Sequence, residues 1–263
     1  MIHPISPDML GAKQLRDEFY PDLTRTLFWS TEWDPDFYVA LAEAGFISIS
    51  TRIPEYGVLL VPELQEAYAV LDWPNLHVSR SVQRLRRSDQ LSLEDVELRV
   101  VGGGALVLEH LLAYHNPGTW LAEPYCDLLK TLPFENGSGF ALRGVELWSR
   151  KKGKLVAGEL GYTIGRTYTS LSGFCTRPAR EWRHFGTLQM IMLAERLRDL
   201  GYAFWNMGHP VQKYKRALGA RVIAREEFLR RWLAATCEEP GEVLGGALPN
   251  ASTRMRQLTK PGA

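Results

Sequence analysis

The sequence predicts an α/β (α+β) fold, with a mixed sheet and flanking helices in the C-terminal half and a smaller α+β module before it. Three observations predict it. The stretch VAGELGYTIGRTYTSLSGF, Val156 to Phe174, reads as two strands around a tight turn at Gly165-Arg166, with Thr163, Ile164, Thr167, Tyr168 and Thr169 as β-formers. Beyond it, a helix patterned by Leu188, Ile191, Met192 and Leu197 alternates with short strand-like runs. Ahead of residue 95, strand and helix patterns alternate on a smaller scale. The expected division is therefore a module over 1–95, a sheet-rich domain over 96–238 and a loosely held tail over 239–263, rich in Gly, Pro, Ser and Thr.

In chain order, residues 1 to about 25 read as a short ordered arm. Asp34 to Glu43 fits a helix, with Asp34 as N-cap and Pro35 at the first position. Phe46 to Arg52 and Gly57 to Val61 fit strands. Asn75 to Arg87 fits a helix with Val78, Val82 and Leu85 inward and Arg80, Arg84, Arg86 and Arg87 outward. A strand follows at Val96 to Val101. Gly102 to Gly104 opens a helix through Ala113, and Leu121 to Leu132 is helical. After the hairpin come a polar loop from Cys175 to Phe185, a helix from Gly186 to Leu200, a strand from Ala203 to Asn206, a helix ending in YKRALGA at 214–220, and a last strand near Arg221 to Ile223.

A polar strip of Glu159, Thr169, Ser170 and Ser172 lies inside the otherwise apolar hairpin. A core strand has no use for a carboxylate and hydroxyls unless they are paired or line a pocket. Gly158, Gly161 and Gly173 leave room for a close approach. The pocket reading makes Glu159 a candidate functional carboxylate, with Tyr168, Ser170, Ser172 and Phe174 as substrate-binding walls.

The totals bound the class. The chain has 263 residues and a formal net charge of +1, so attraction to a polyanion must come from a local patch rather than from the whole surface. Cys126, Cys175 and Cys237 have no metal-type spacing, the six histidines show no ligand pattern, and a metal is not expected. No Ser-His-Asp or G-x-S-x-G arrangement supports covalent catalysis. The N-terminus has no charged-then-apolar layout and no apolar run is long enough to span a membrane, which predicts a cytoplasmic protein without a membrane partner.

Five motifs in order over roughly residues 70 to 230 resemble one known family. They are the basic run LHVSRSVQRLRR (76–87), Thr119-Trp120, RGVELW (143–148), LVAG (155–158) followed by Gly161 and Gly165, and LGA (218–220). The chain resembles the leucyl/phenylalanyl-tRNA–protein transferases, whose C-terminal domain has the Gcn5-related acyltransferase (GNAT) fold; the order strand, basic loop, helix, strand, helix, Y-x-x-x-L-G-A, strand is that of the same fold. The resemblance implies an aminoacyltransferase that moves an amino acid from an aminoacyl-tRNA to an amine acceptor. That acceptor is a protein N-terminus, a peptide or a small amine, and no cofactor is implied beyond the tRNA co-substrate.

The departures are specific. Ser170-Leu171-Ser172-Gly173-Phe174 stands where the family has G-E-S-M-F, so Leu171 occupies the position of its functional Glu. Asn206-Met207-Gly208 stands where the family has D-x-Q, and its tryptophan-rich W-W-S-P segment is absent. Glu159 is the expected substitute carboxylate. Asn206 inherits a catalytic position as a hydrogen-bonding amide. Tyr214 lies in the motif where GNAT-like enzymes place a tyrosine beside the leaving group, and otherwise fills core space. Trp120 and Trp148 are core residues on size alone; the resemblance adds adenine stacking by Trp120 and turns Glu146 toward the same cleft.

The tRNA-binding track is expected from Arg80, Arg84 and Arg87, Lys152 in the Arg150–Lys154 turn, Arg183 and Lys213, with Arg86, Arg177, Arg180, Lys215 and Arg216 beside them. Such charges are more commonly plain solvated surface. A track of them would hold an acceptor stem by phosphates and shape. Two rivals stay open. Arg183-His-Phe-Gly186-Thr-Leu188 resembles the pyrophosphate loop of acyl-CoA N-acyltransferases, although Leu188 replaces a small residue. A catalytically silent tRNA- or peptide-binding module is the other.

Overall fold

The N-terminal arm runs through β1 (His3–Pro4), a helical turn α1 (Ala12–Gln14) and β2 (Phe28–Trp29), which pairs in parallel with β1. The structure is a computed structural model and describes residues 2–115, 119–135, 139–176 and 180–248. α2 (Pro35–Glu43) starts where Asp34 predicts: its carboxylate accepts from the Phe37 N–H at 2.9 Å, and Pro35 needs no such partner. β3 (Ile47–Ile53) and β4 (Gly57–Glu63) form an antiparallel hairpin. β5 (Ala67–Leu71), α3 (Arg80–Arg87) and α4 (Asp89–Glu94) follow, then β6 (Val96–Gly102), α5 (Ala105–His115) and α6 (Glu123–Thr131). The three longest strands are consecutive: β7 (Phe140–Ser149), β8 (Lys154–Ile164) and β9 (Thr167–Cys175). α7 (Phe185–Asp199), β10 (Phe204–Asn206), α8 (Lys213–Leu218), β11 (Arg221–Ala224), α9 (Arg225–Thr236) and β12 (Gly246–Leu248) complete the described chain.

Eight strands form one mixed sheet in the order β11-β5-β10-β9-β8-β7-β6-β12, in which β10 is parallel to β9 and every other pair is antiparallel. The pleat alternates side chains between two apolar clusters. Leu142, Leu160 and Tyr162 join α5 and α6 on one face, while Val145, Leu147 and Ala157 join α7 on the other. No helix of the described residues is long and apolar enough to cross a membrane.

Three expectations are corrected. The boundary at 95 does not mark a break in packing, because β5 completes the large sheet between β11 and β10, and one core cluster runs from Ile5 to Ala235. Arg225 reinforces that union: fully buried, it donates to the carbonyls of Phe19, Asp22, Arg25, Leu64 and Gln65. The basic helix begins at Arg80 rather than Asn75, because the His77 N–H bonds to the Leu218 carbonyl at 2.8 Å and Ser79 then caps the helix. Within the expected loose tail, β12 pairs with β6; residues 249–263 lie outside the described residues.

One departure from regularity positions the site. β9 pairs with β10 only from Thr167 to Thr169. After Asn206 the chain stays with β5 instead, the Met207 N–H bonding to the Ala69 carbonyl at 2.9 Å and the Ala69 N–H to the Gly208 carbonyl at 2.8 Å. β9 runs on to Cys175 paired with β8 alone, so β9 and β10 part after Thr169.

Candidate active site

Where β9 loses β10, a cleft of about 440 Å³ opens through the sheet. Its walls are the end of α5 (Tyr114, His115), Trp120, β8 at Gly158 and Glu159, β9 from Ser170 to Cys175, α7 at Gly186, Gln189 and Met190, and the stretch holding Met207, Gln212, Tyr214 and Lys215. The cleft passes from the α5 face to the α7 face. The register fixes which side chains face which way. Leu160 pairs with Ser172 but Gly161 with Ser170, so Leu171 is an extra residue in a bulge, the device that re-aims side chains beside a site.

Glu159 is 5% exposed and stands at the parting. Its Oε1 accepts from the Tyr168 hydroxyl at 2.9 Å and from Ser170 Oγ at 2.8 Å, and Ser170 in turn accepts from Trp205 Nε1 at 2.7 Å. Burial pushes the carboxyl up to about 7, against the pull of both hydroxyls and of the Lys215 charge. Lys215, 5% exposed, donates to the His209 carbonyl at 2.7 Å; burial pulls its ammonium down to about 8, opposed by Glu159. Burial thus shifts the two groups toward neutrality from opposite sides on one cleft. Tyr214, 49% exposed, stands at the mouth, its phenol pushed up to about 12 by partial burial and by Glu159.

On the α5 face, Ser172 Oγ lies 3.3 Å from His115 Nε2, and the Phe174 ring lies over Gly158, where a Cβ would sit 2.7 Å from it. Trp120 lines the cleft with its ring edge-on to Tyr125 at 5.2 Å. Leu171 gives this wall an apolar side chain where the resemblance expects a carboxylate.

Of the predicted residues, the structure brings Glu159, Tyr214, Trp120, Ser170, Ser172 and Phe174 to the cleft. Three others lie elsewhere. Asn206 is buried, its amide donating to Thr169 Oγ1 at 3.3 Å and its oxygen accepting from the Gly208 N–H at 3.0 Å; it holds the turn that parts the strands. Glu146 accepts from Trp148 Nε1 at 2.8 Å on β7, one strand removed from the cleft. Tyr168 is fully buried beneath Glu159, to which its hydroxyl donates, and does not line the cleft. Sequence reasoning places Lys215 only among the surface cations and passes over Gln189, His115 and Gln212. The signal for Gln189 is a polar residue on a helix that is otherwise apolar wherever it is buried.

Arg80, Arg84, Arg87, Arg183 and Lys213 are exposed and enter no ion pair among the described residues. α3 is moored to α7 by Arg86–Glu195 at 2.6 Å, and the segment leading into it is held to α8 by the His77–Leu218 bond. Lys152 departs from expectation: it pairs with Glu94 and Glu181 and sits over the Trp182 ring. Arg177 lies outside the described residues. Among the described residues no group of three or more His, Cys, Asp or Glu is placed to hold a metal ion.

A mixed sheet with flanking helices, whose central strands part beside a cleft, is the arrangement of a GNAT-like acyltransferase, and that is the class this fold defines. The family is narrower. Residues 70–233 match the profile of leucyl/phenylalanyl-tRNA protein transferase, and the chain belongs to that family. It is an aminoacyltransferase that takes an amino acid from aminoacyl-tRNA and joins it to a protein N-terminal amine. A leucyl/phenylalanyl-tRNA–protein transferase from Ruegeria sp. (strain TM1040) is 27% identical over 193 residues, 73% of this chain and 81% of its own. Among solved structures, FemX has a TM-score of 0.42 at 11% identity, with 85% of this chain and 70% of its own covered. L-PGS from Bacillus licheniformis has 0.41 at 12%, covering 80% and 72%, and a GCN5-related N-acetyltransferase from Kribbella flavida 0.37 at 15%, covering 84% and 74%. These likenesses are too distant to bear on the reaction.

Proposed function

We propose that transfer occurs at the parting of β9 and β10, with Glu159 as the proton acceptor that replaces the family's missing carboxylate. The acceptor nitrogen attacks the ester carbonyl carbon, a C–N bond forms, and the ester C–O bond to the terminal ribose breaks. The ester is already activated, so positioning and proton handling suffice and no cofactor enters. An α-amine has an ordinary pKa of about 8; a carboxylate near 7 is matched to take its proton. Lys215 supplies positive charge to the oxyanion that forms on the carbonyl. Tyr214, at the exposed mouth, gives its phenol proton to the leaving ribose oxygen and is reprotonated from solvent, to which Glu159 in turn releases the proton taken from the amine.

The observation that carries this reading is the seat of Glu159: a buried carboxylate lining the cleft, with both of its hydrogen bonds at Oε1 and none at Oε2 among the described residues. Trp120 on the α5 face offers a ring for the terminal adenine. Arg80, Arg84, Arg87, Arg183 and Lys213 hold the acceptor stem, while Lys152 is already paired. Dependence on aminoacyl-tRNA supports a cytoplasmic location. The test is single-turnover transfer by Glu159→Gln, with the charged tRNA saturating: the rate should fall about a hundredfold or more with donor affinity unchanged. Full activity in that variant would refute the role.

A further inference from the structure

α7 is buried around most of its circumference, and Phe185, Leu188, Ile191, Met192 and Leu193 all pack into the apolar cluster on its side of the sheet. One buried member of the helix is polar. Gln189 is 3% exposed and lines the cleft, and its Nε2 has no hydrogen-bond partner among the described residues. A buried amide donor left unpaired is destabilising, and folded chains keep few of them. A leucine or methionine would have continued the apolar surface of the helix without that penalty. The amide is therefore placed for an atom that arrives with substrate.

The layout of the cleft narrows which atom that is. In the transfer reading above, the ester carbonyl lies at the parting of the strands beside Glu159 and Lys215, the two strongly buried ionisable groups of the lining, and the nucleotide end lies against Trp120 on the α5 face. The part of the donor that continues from the carbonyl carbon toward α7 is the side chain of the transferred amino acid. We propose that Gln189 donates a hydrogen bond to an oxygen on that side chain, so that the preferred donor carries an amide, hydroxyl or carboxylate side chain rather than an aliphatic or aromatic one. This rests on the aminoacyl-tRNA reading above and names its substrate class. The physical ground is asymmetric: a site built to hydrogen-bond a group discriminates strongly against analogues that lack it, because its own donor is then buried unpaired.

The test offers the purified protein single aminoacyl-tRNAs carrying asparagine, glutamine, serine, aspartate, glutamate, leucine or phenylalanine. A peptide with a free N-terminus is the acceptor, and kcat/KM is read for each donor from labelled product. At least one oxygen-bearing donor should exceed the leucyl and phenylalanyl donors by about a hundredfold or more. Gln189→Leu should erase that preference, bringing kcat/KM for the oxygen-bearing donor down by about a hundredfold relative to the leucyl and phenylalanyl donors. Its unfolding temperature should hold or rise, since a buried unpaired donor is gone, which separates lost selectivity from a lost fold. Wild-type preference for leucine or phenylalanine, or a Gln189→Leu profile identical to the wild type, overturns the assignment while leaving the transferase reading intact. Transfer from none of the donors overturns both.

Discussion

The Tyr168 hydroxyl reaches Glu159 Oε1 at 2.9 Å because residue 161, between them on the sheet, has no side chain. A Cβ at Gly161 would lie 2.3 Å from that hydroxyl and 2.5 Å from the Thr169 carbonyl oxygen, which is backbone and cannot swing aside. One glycine thus seats the phenol, the phenol holds the carboxylate, and the carboxylate's surroundings set where it titrates.

The pH profile should show this arrangement directly. Glu159 acts in its ionised form, populated above about 7, and Lys215 in its charged form, populated below about 8. kcat/KM should therefore rise through the first value and fall through the second, giving a narrow bell. Tyr168→Phe removes a hydrogen bond that favours the ionised carboxyl, so the acid limb should move to higher pH and the bell should shrink. An acid limb that stays in place in that variant would detach Glu159 from the profile.

Glu159 should also make the fold less stable as pH rises. An unfolded carboxyl titrates near 4.5 and the buried one near 7, so the folded state holds the extra proton across that interval. Stability is then highest below 4.5, declines as pH rises to 7, and levels off beyond. At about 1.4 kcal/mol per pH unit, the interval amounts to about 3 kcal/mol. Glu159→Gln, neutral throughout, should melt at a higher temperature than the wild type at pH 8 and at a similar one near pH 5, while losing activity. A variant less stable at pH 8 would show that the carboxylate is better accommodated than its burial implies.

Arg225 predicts the opposite kind of loss. Its guanidinium donates to five backbone carbonyls that join the N-terminal arm and the β4–β5 connection to α9. Arg225→Met would fill the space but leave those buried carbonyls unpaired, and each unpaired buried group costs about 1–3 kcal/mol. Denaturant unfolding should show a loss of several kcal/mol, with the pH limbs of any surviving activity unmoved. A loss below about 1 kcal/mol would mean that water replaces the guanidinium.

The sequence makes a pocket at β8 and β9 legible because β-formers, glycines and misplaced polar residues coincide in one hairpin. Glu159 and Ser170 stand out as polar residues with no reason to be in a core. Lys215 does not, since a lysine in KYKRALGA looks like its exposed neighbours Lys213 and Arg216, and only the packing of α8 buries it. Asn206 misleads for a related reason: a motif position carries a residue into register, but its hydrogen bonds to Thr169 and Gly208 decide where its amide points. β5 falls in the wrong unit when the chain is divided by sequence, because strand partners far apart along the chain leave no local mark, and its ladders are with residues 204–206 and 221–224.

The basic helix gives a contrast between two kinds of arginine on one element. Arg80, Arg84 and Arg87 are exposed and outside any ion pair among the described residues, whereas Arg86 makes two hydrogen bonds to Glu195 of α7, at 2.9 and 2.6 Å. If the exposed three contact phosphates, reversing their charge together should weaken binding of the charged tRNA at low salt and reduce the slope of log K against log salt by about 3, nearly one for each phosphate no longer neutralised. The melting temperature should barely move, since surface charges contribute little to stability. Arg86→Ala should behave in the reverse way, loosening α3 from α7 and lowering stability while leaving the salt slope close to its wild-type value. Filter binding or fluorescence anisotropy across a salt series, with thermal unfolding beside it, reads both quantities. A triple variant whose salt slope is unchanged would remove α3 from the tRNA path and leave Arg183 and Lys213 as the next positions to reverse.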